Sequence, residues 1–183
     1  MQKTTFSVRE MALIAVMTAV ICVLGPLSVP IGVIPVSFTN LAIYLAIYVL
    51  GCRRGVISYL VYLLIGLVGV PVFSGFSGGA AKLFGPTGGY LIGFIFMAII
   101  CGIVIDKFEC KFVPSMIGMI IGTLVCYAFG TAWLAYQAGM SFQAALAAGV
   151  LPFIIPDLVK MVIAAVVGVQ VRKQLQHAGI RMN

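Results

Sequence analysis

The sequence predicts an all-α integral membrane protein of six transmembrane helices with both termini in the cytoplasm. Three observations carry that expectation. Of 183 residues, 63% are hydrophobic and only 8% charged, against about 25% charged in a soluble domain. Such a chain cannot cover a surface facing water. The apolar residues also gather into runs separated by short polar turns, with room for five to seven spans of about 20 residues. Finally, the basic residues stand in those turns as ones and twos, and almost all of them fall on one side of a six-span arrangement.

The chain reads as a single membrane domain, 1–183, with no internal repeat and no low-complexity linker. Span 1 covers residues 8–24 and stops at Gly25-Pro26. Lys3 and Arg9 ahead of it resemble the start of a signal peptide, but no small-residue cleavage site follows, so it reads as a retained helix. Its Ala12, Ala15 and Ala19 leave small side chains on the helix surface, and Ala15-x-x-x-Ala19 suits close helix contact in lipid. Residues 27–37, with Pro30 and Pro35, read as an extended loop. Span 2 (38–50) is short and opens at Thr39-Asn40. Gly51 to Gly55 encloses Arg53 and Arg54 and reads as a charged turn rather than a packing motif.

Span 3 (56–70) leads into a glycine-rich stretch from Pro71 to Phe94, whose first part holds Lys82 and is interrupted by Pro71 and Pro86. Its glycines permit backbone conformations closed to other residues and close approach of another group. A flexible turn and the wall of a binding site both fit that composition. Span 4 (88–105) begins with Gly85, Gly89 and Gly93 at four-residue spacing, a flat face for a neighbour or a ligand. Asp106 to Lys111 is a polar turn. Span 5 (113–135) carries Gly118 and Gly122 as another close-packing pair, and Gln137 to Gly149 reads as a more polar connection with a short surface helix. Span 6 (152–171) ends in a basic tail.

This layout puts nine of the eleven basic residues on one side: Lys3, Arg9, Arg53, Arg54, Lys107, Lys111, Arg172, Lys173 and Arg181. By the positive-inside rule that side is cytoplasmic. The net charge of +7 therefore records orientation, not nucleic-acid binding. Lys82 and Lys160 are the two exceptions, and Asp157 is equally out of place, three residues before Lys160. A charge at the centre of a membrane helix costs about 2.5–3.5 kcal/mol on insertion scales, so such groups usually face the protein interior or a cavity. Asp157 and Lys160 share a helix face at i,i+3 and can pair. Pro156 suits the first helical turn, which sets Asp157 near the positive end of the helix dipole. A structural ion pair and a binding site are both open readings of these two residues.

No enzyme constellation is present. The stretch Gly75 to Lys82 lacks the Gly-Lys-Ser/Thr ending of a phosphate-binding loop, and there is no G-x-S-x-G or H-E-x-x-H. The five cysteines are scattered without CxxC spacing and the single histidine, His177, lies in the polar tail, so neither a disulfide framework nor a metal site is expected. No cofactor is implied. What remains is an apolar pocket with a few polar groups, suited to a small, mainly apolar ligand with polar ends. A secondary transporter would show inverted repeats or more interior ionisable groups. A membrane enzyme or structural subunit would leave the glycine stretch and Asp157 without a role.

The segment Gly85-Pro86-Thr87-Gly88-Gly89-Tyr90-Leu91-x-Gly93-Phe94, preceded by Pro71 to Phe76 and followed by Pro156-Asp157-Leu158-x-Lys160, resembles the BioY family of biotin transporters. These are substrate-binding S-components of energy-coupling factor (ECF) transporters. The resemblance implies a six-helix S-component fold in the plasma membrane of a prokaryote, capturing biotin from outside. It implies as partners a transmembrane T-component and two cytoplasmic ATPases, with helix 1 docking through Ala12, Ala15 and Ala19. An S-component for another vitamin is the nearest alternative. Matched to biotin, Asp157 is expected to accept ureido N–H groups and Lys160 to donate to a ligand oxygen. Lys82 is a candidate for the carboxylate. Phe73, Phe76, Tyr90 and Tyr44 are candidates to cover the rings and chain, Gly78 and Gly79 bring the loop backbone close, and Asn40 offers an amide contact.

Overall fold

A computed structural model describes residues 7–31 and 34–179; Lys3 and Arg181, counted above with the cytoplasmic charges, lie outside them. Helix α1 (Val8–Leu24) is followed by a hairpin of β1 (Ser28–Ile31) and β2 (Ile34–Ser37). Then come α2 (Thr39–Leu50), α3 (Cys52–Leu67), a short α4 (Ala80–Leu83), α5 (Gly88–Lys107), α6 (Phe112–Ala138), α7 (Phe142–Gly149) and α8 (Ile154–His177). A 3₁₀ turn, Leu151–Phe153, leads into α8.

Helix α2 is the axis of the bundle. Ten of its twelve residues are buried, Leu41 and Leu45 being the exceptions, as expected of a helix apolar all round. It packs against α1, α3, α5 and α8. At about 18 Å it is too short to cross a hydrocarbon core of about 30 Å by itself. Among the described residues, three helical stretches, Gly88–Lys107, Phe112–Ala138 and Phe142–His177, are long and apolar enough to cross a membrane.

Glycines hold α5 against α6. A Cβ added at Gly89 would lie 2.2 Å from the Cβ of Trp133, and one at Gly93 3.0 Å from the Cα of Cys126. From the other helix, Gly130 would strike the ring of Tyr90, Gly122 the sulfur of Cys101 and Gly118 the side chain of Val104. Gly89 and Gly93 of the first series and Gly118 and Gly122 of the second thus serve helix packing, which in lipid rests on close van der Waals contact, whereas Gly85 precedes α5 and lies against the Ala81 carbonyl.

Two expectations are corrected. Residues 27–37 are a paired hairpin, in register Ser28↔Ser37 and Val29↔Val36, not an unpaired extended loop. The alternation of apolar side chains was strand periodicity. The segment Gly51–Gly55 is only partly a turn. Gly51 has φ +78 and ends α2, but Cys52 to Gly55 form the first turn of α3, and Gly55 packs against Ile47.

Charges tie together the end of the bundle opposite the hairpin. Ser7 and Glu10 form a capping box on α1, and Glu10 pairs with Arg54. Asp106 accepts the Cys52 amide N–H at 2.7 Å, supplying the cap that α3 lacks, and lies 3.6 Å from Arg172. Arg172 also donates to the carbonyl of Tyr48 at 3.4 Å. Cys110 lies in the turn between α5 and α6 with φ +60, and burial pushes its thiol pKa up.

Replacing Gly89 by Leu forces Trp133 away. It is expected to destabilise the bundle by about 1–3 kcal/mol, the usual cost of overpacking, read as a lowered Tm of the detergent-purified protein. An unchanged Tm would remove the α5–α6 contact from its central place.

Candidate functional site

A cavity opens between β2, the N-terminal ends of α2, α5 and α8, and the middle of α6. Tyr90, Leu91, Phe94 and Phe153 give it apolar walls. Several of its polar groups converge on the two charges of α8.

Asp157 and Lys160 retain 5% and 6% of their accessible surface, so both are withdrawn from water. A buried charge is tolerated only when paired and hydrogen-bonded, and both are. The Lys160 ammonium has three protons. They go to Asp157 Oδ1 at 3.0 Å, Asn40 Oδ1 at 3.1 Å and the backbone carbonyl of Ser37 at 2.7 Å. The second carboxylate oxygen, Oδ2, accepts the phenol of Tyr127 at 2.6 Å. Asn40 Oδ1 also accepts the Leu41 amide at 3.0 Å, and among the described residues the Asn40 side-chain NH₂ donates to nothing. The site thus offers spare lone pairs on Asp157 and a spare amide donor on Asn40.

The local structure explains these positions. The 3₁₀ turn with Pro152 feeds directly into α8, which places Asp157 in its first turn, where the positive end of the helix dipole favours a carboxylate. Asn40 sits in the first turn of α2, directly after the hairpin. Lys160 therefore reaches across to groups 120 and 123 residues earlier in the chain.

Of the residues singled out from the sequence, Asp157, Lys160, Asn40 and Tyr90 line the cavity. The ring of Tyr90 forms its wall while its hydroxyl donates to the Gly149 carbonyl at 3.0 Å. Tyr44 lies outside the lining; fully buried, it shares a 2.5 Å hydrogen bond with Thr123, which does line the cavity. The glycine stretch folds as a tight turn, with Phe73 and Ser77 bridged and the Gly75 amide on the Pro26 carbonyl at 3.0 Å. Its Ser74 reaches the cavity. Phe73 instead points into the core, edge-on to Tyr62 and against Gly66, and Phe76 is 66% exposed at the tip with φ +55. Gly78 fits closely over the Val70 carbonyl, and Gly79 turns with φ +87 into α4. Lys82, on α4, makes no ion pair among the described residues, and partial burial pulls its pKa down. None of these last five lines the cavity.

Contributors not read as site residues from the sequence include Tyr127, Thr123 and the Ser37 carbonyl, and the wall residues Leu91, Phe94 and Phe153. Thr123-x-x-x-Tyr127 is an i,i+4 pair on one face of α6, a signal present in the sequence but submerged in an apolar run. A backbone carbonyl leaves no such signal.

A second, wholly different concavity lies between α1 and α3. Ala15 and Ala19 floor it, with Met11, Ile57, Val61 and Ile65 around them. Ala12 is exposed but outside the groove.

Comparison with known proteins gives a consistent result. The BioY family model matches residues 1–177. The chain is 36% identical to biotin transporter BioY2 of Lactococcus lactis subsp. cremoris over 92% of each chain. It is 40% identical to a probable biotin transporter BioY of Pyrococcus horikoshii, over 87% of this chain and 93% of that one. It superposes with a TM-score of 0.84 and 32% identity on a crystal structure of the S-component for biotin from an ECF-type ABC transporter, covering 91% of this chain and 92% of the other. The fold is therefore that of an ECF S-component, and the chain belongs to the BioY family.

Proposed function

We propose that this chain captures biotin at the hairpin end of the bundle and serves as the S-component of an ECF-type transporter. The observation that carries the reading is the cavity with its buried ion pair, a Lys160 whose three protons are committed and an Asp157 with acceptor positions to spare, in a chain whose relatives are biotin transporters. Such a chain is a transporter component and not an enzyme.

Biotin's chemistry fits the spare groups. The two N–H groups of a five-membered cyclic urea point to opposite sides, so one carboxylate can take only one of them. Asp157 accepts that N–H, and the free amide of Asn40 donates to the ureido carbonyl. Lys160 has every proton committed, so it acts by holding Asp157, Asn40 and the hairpin rather than by touching a ligand oxygen. Tyr90, Leu91, Phe94 and Phe153 cover the apolar rings and chain. Lys82, which makes no ion pair among the described residues, is the candidate for the biotin carboxylate, from outside the cavity lining. Phe73, Phe76, Gly78, Gly79 and Tyr44 shape the surrounding loop and floor.

Six crossings of one membrane domain and a cytoplasmic charged end are part of the same reading. Supporting them, Glu10–Arg54 and Asp106–Arg172 gather the start of α1, the α2–α3 and α5–α6 turns and the end of α8 at one end. The apolar α1–α3 groove with Ala15 and Ala19 is the docking face for the transmembrane T-component, which two cytoplasmic ATPases energise. The setting is the plasma membrane of a prokaryote.

Purified protein should bind biotin in preference to other vitamins, and Asp157→Asn should weaken binding about 10- to 100-fold, the range for a hydrogen bond to a charged group; unchanged affinity would remove α8 from the site. Ala15→Trp and Ala19→Trp should stop uptake by cells that also make the T-component and ATPases while leaving biotin binding intact. Loss of binding as well would make these alanines packing residues of the isolated fold. A C-terminal tag should be cut by added protease only in inside-out vesicles; cleavage in right-side-out vesicles would invert the topology.

A further inference from the structure

We propose that Tyr127 is a positioning residue of this site, holding the Asp157 carboxylate in the orientation that keeps acceptor positions open for a ligand N–H. The proposal rests on the biotin reading and assigns a residue that touches the ligand's partner rather than the ligand.

The contact itself is the first observation. Tyr127 donates to Asp157 Oδ2 at 2.6 Å, the length of a charge-assisted O–H···O⁻ bond. Lys160 binds the other oxygen, Oδ1, at 3.0 Å. A carboxylate torsion is broad when nothing constrains it, and Lys160 lies on the same helix one turn away. Tyr127 comes from α6, so the two donors clamp the two oxygens from different elements. An ionised carboxylate accepts at about four positions; two are taken, and two remain.

Tyr127 is itself firmly placed. Cys126, its neighbour, packs on Gly93 of α5 and directs its thiol to the Tyr90 carbonyl at 3.6 Å. Gly130, three residues on, lies against the Tyr90 ring. The close α5–α6 contact thus sets how far the phenol reaches towards α8. Tyr127 also borders the cavity.

The arrangement makes Asp157 an acceptor only. Both of its protein partners donate to it, so a ligand group docking there must be a donor as well. A ring N–H qualifies, and a carbonyl or carboxylate does not. Tyr127 therefore shapes selectivity as well as strength.

The test measures biotin and its two mono-N-methylated ring analogues against purified wild type, Tyr127→Phe, Asp157→Asn and the double variant, with Tm recorded for each. Tyr127→Phe is expected to weaken biotin binding about 10-fold, as for one hydrogen bond to a charged group, with Tm little changed. The analogue methylated at the nitrogen facing Asp157 should lose less than about twofold from the same substitution, as should biotin when Tyr127→Phe is added to Asp157→Asn, because interacting residues are not additive. Wild-type affinity in Tyr127→Phe, an equal loss for biotin and both analogues, or a full additional loss in the Asp157→Asn background would each overturn the assignment. Failure of the wild-type chain to bind biotin at all would overturn the reading of function and this assignment with it. Normal wild-type binding with no response to Tyr127→Phe overturns this assignment alone.

Discussion

Two opposite charges withdrawn from water, three residues apart on α8, set the conditions that the hairpin half of the molecule must meet. Removing one partner of a buried pair typically costs about 3–5 kcal/mol, because the other charge is left uncompensated. The pair is consequently surrounded by groups that hydrogen-bond to it. A hairpin carbonyl, an asparagine at the head of α2 and a tyrosine of α6 converge on it. Two separate stretches, residues 37–40 and the middle of α6, are thereby fixed to α8, and the cavity lies beside them.

The rest of the bundle exists at a distance that permits this convergence. Helix α2 is buried nearly all round and serves as the common neighbour of α1, α3, α5 and α8. Helices α5 and α6 approach so closely that their glycines cannot carry a side chain. In lipid, where apolar surface gains little by leaving its surroundings, such contact is what holds helices together. At the other end, Arg172 and Asp106 complete the backbone groups of α2 and α3, so each end of the bundle has its own polar fastening.

Much of this was legible in the sequence, and the reasons differ by residue. Asp157 and Lys160 stood out because a charge within an apolar run demands a partner. The glycine series on α5 and α6 stood out because their four-residue spacing matches a helix face. The hairpin was obscured by Pro30 and Pro35, which suggested an unpaired loop although they face each other across the ladder. Tyr127 was hidden because a tyrosine among apolar residues ordinarily reads as core or lipid contact; only the approach of α6 to α8 gives its hydroxyl a purpose. Phe73 erred in the opposite direction. Its setting in the glycine stretch suggested a pocket wall, but the missing side chain of Gly66 makes room for it in the core instead.

The bond from Lys160 to the Ser37 carbonyl has a consequence for which charge sits where. Exchanging the acid and the base on α8 would keep the net charge and the i,i+3 spacing. It would nevertheless turn an anion towards a carbonyl oxygen and an amide oxygen, both negative, and set a cation at the positive end of a helix dipole. The pair has a direction, written by neighbours that carry no formal charge, and only one of its two orders gives the Ser37 carbonyl a donor.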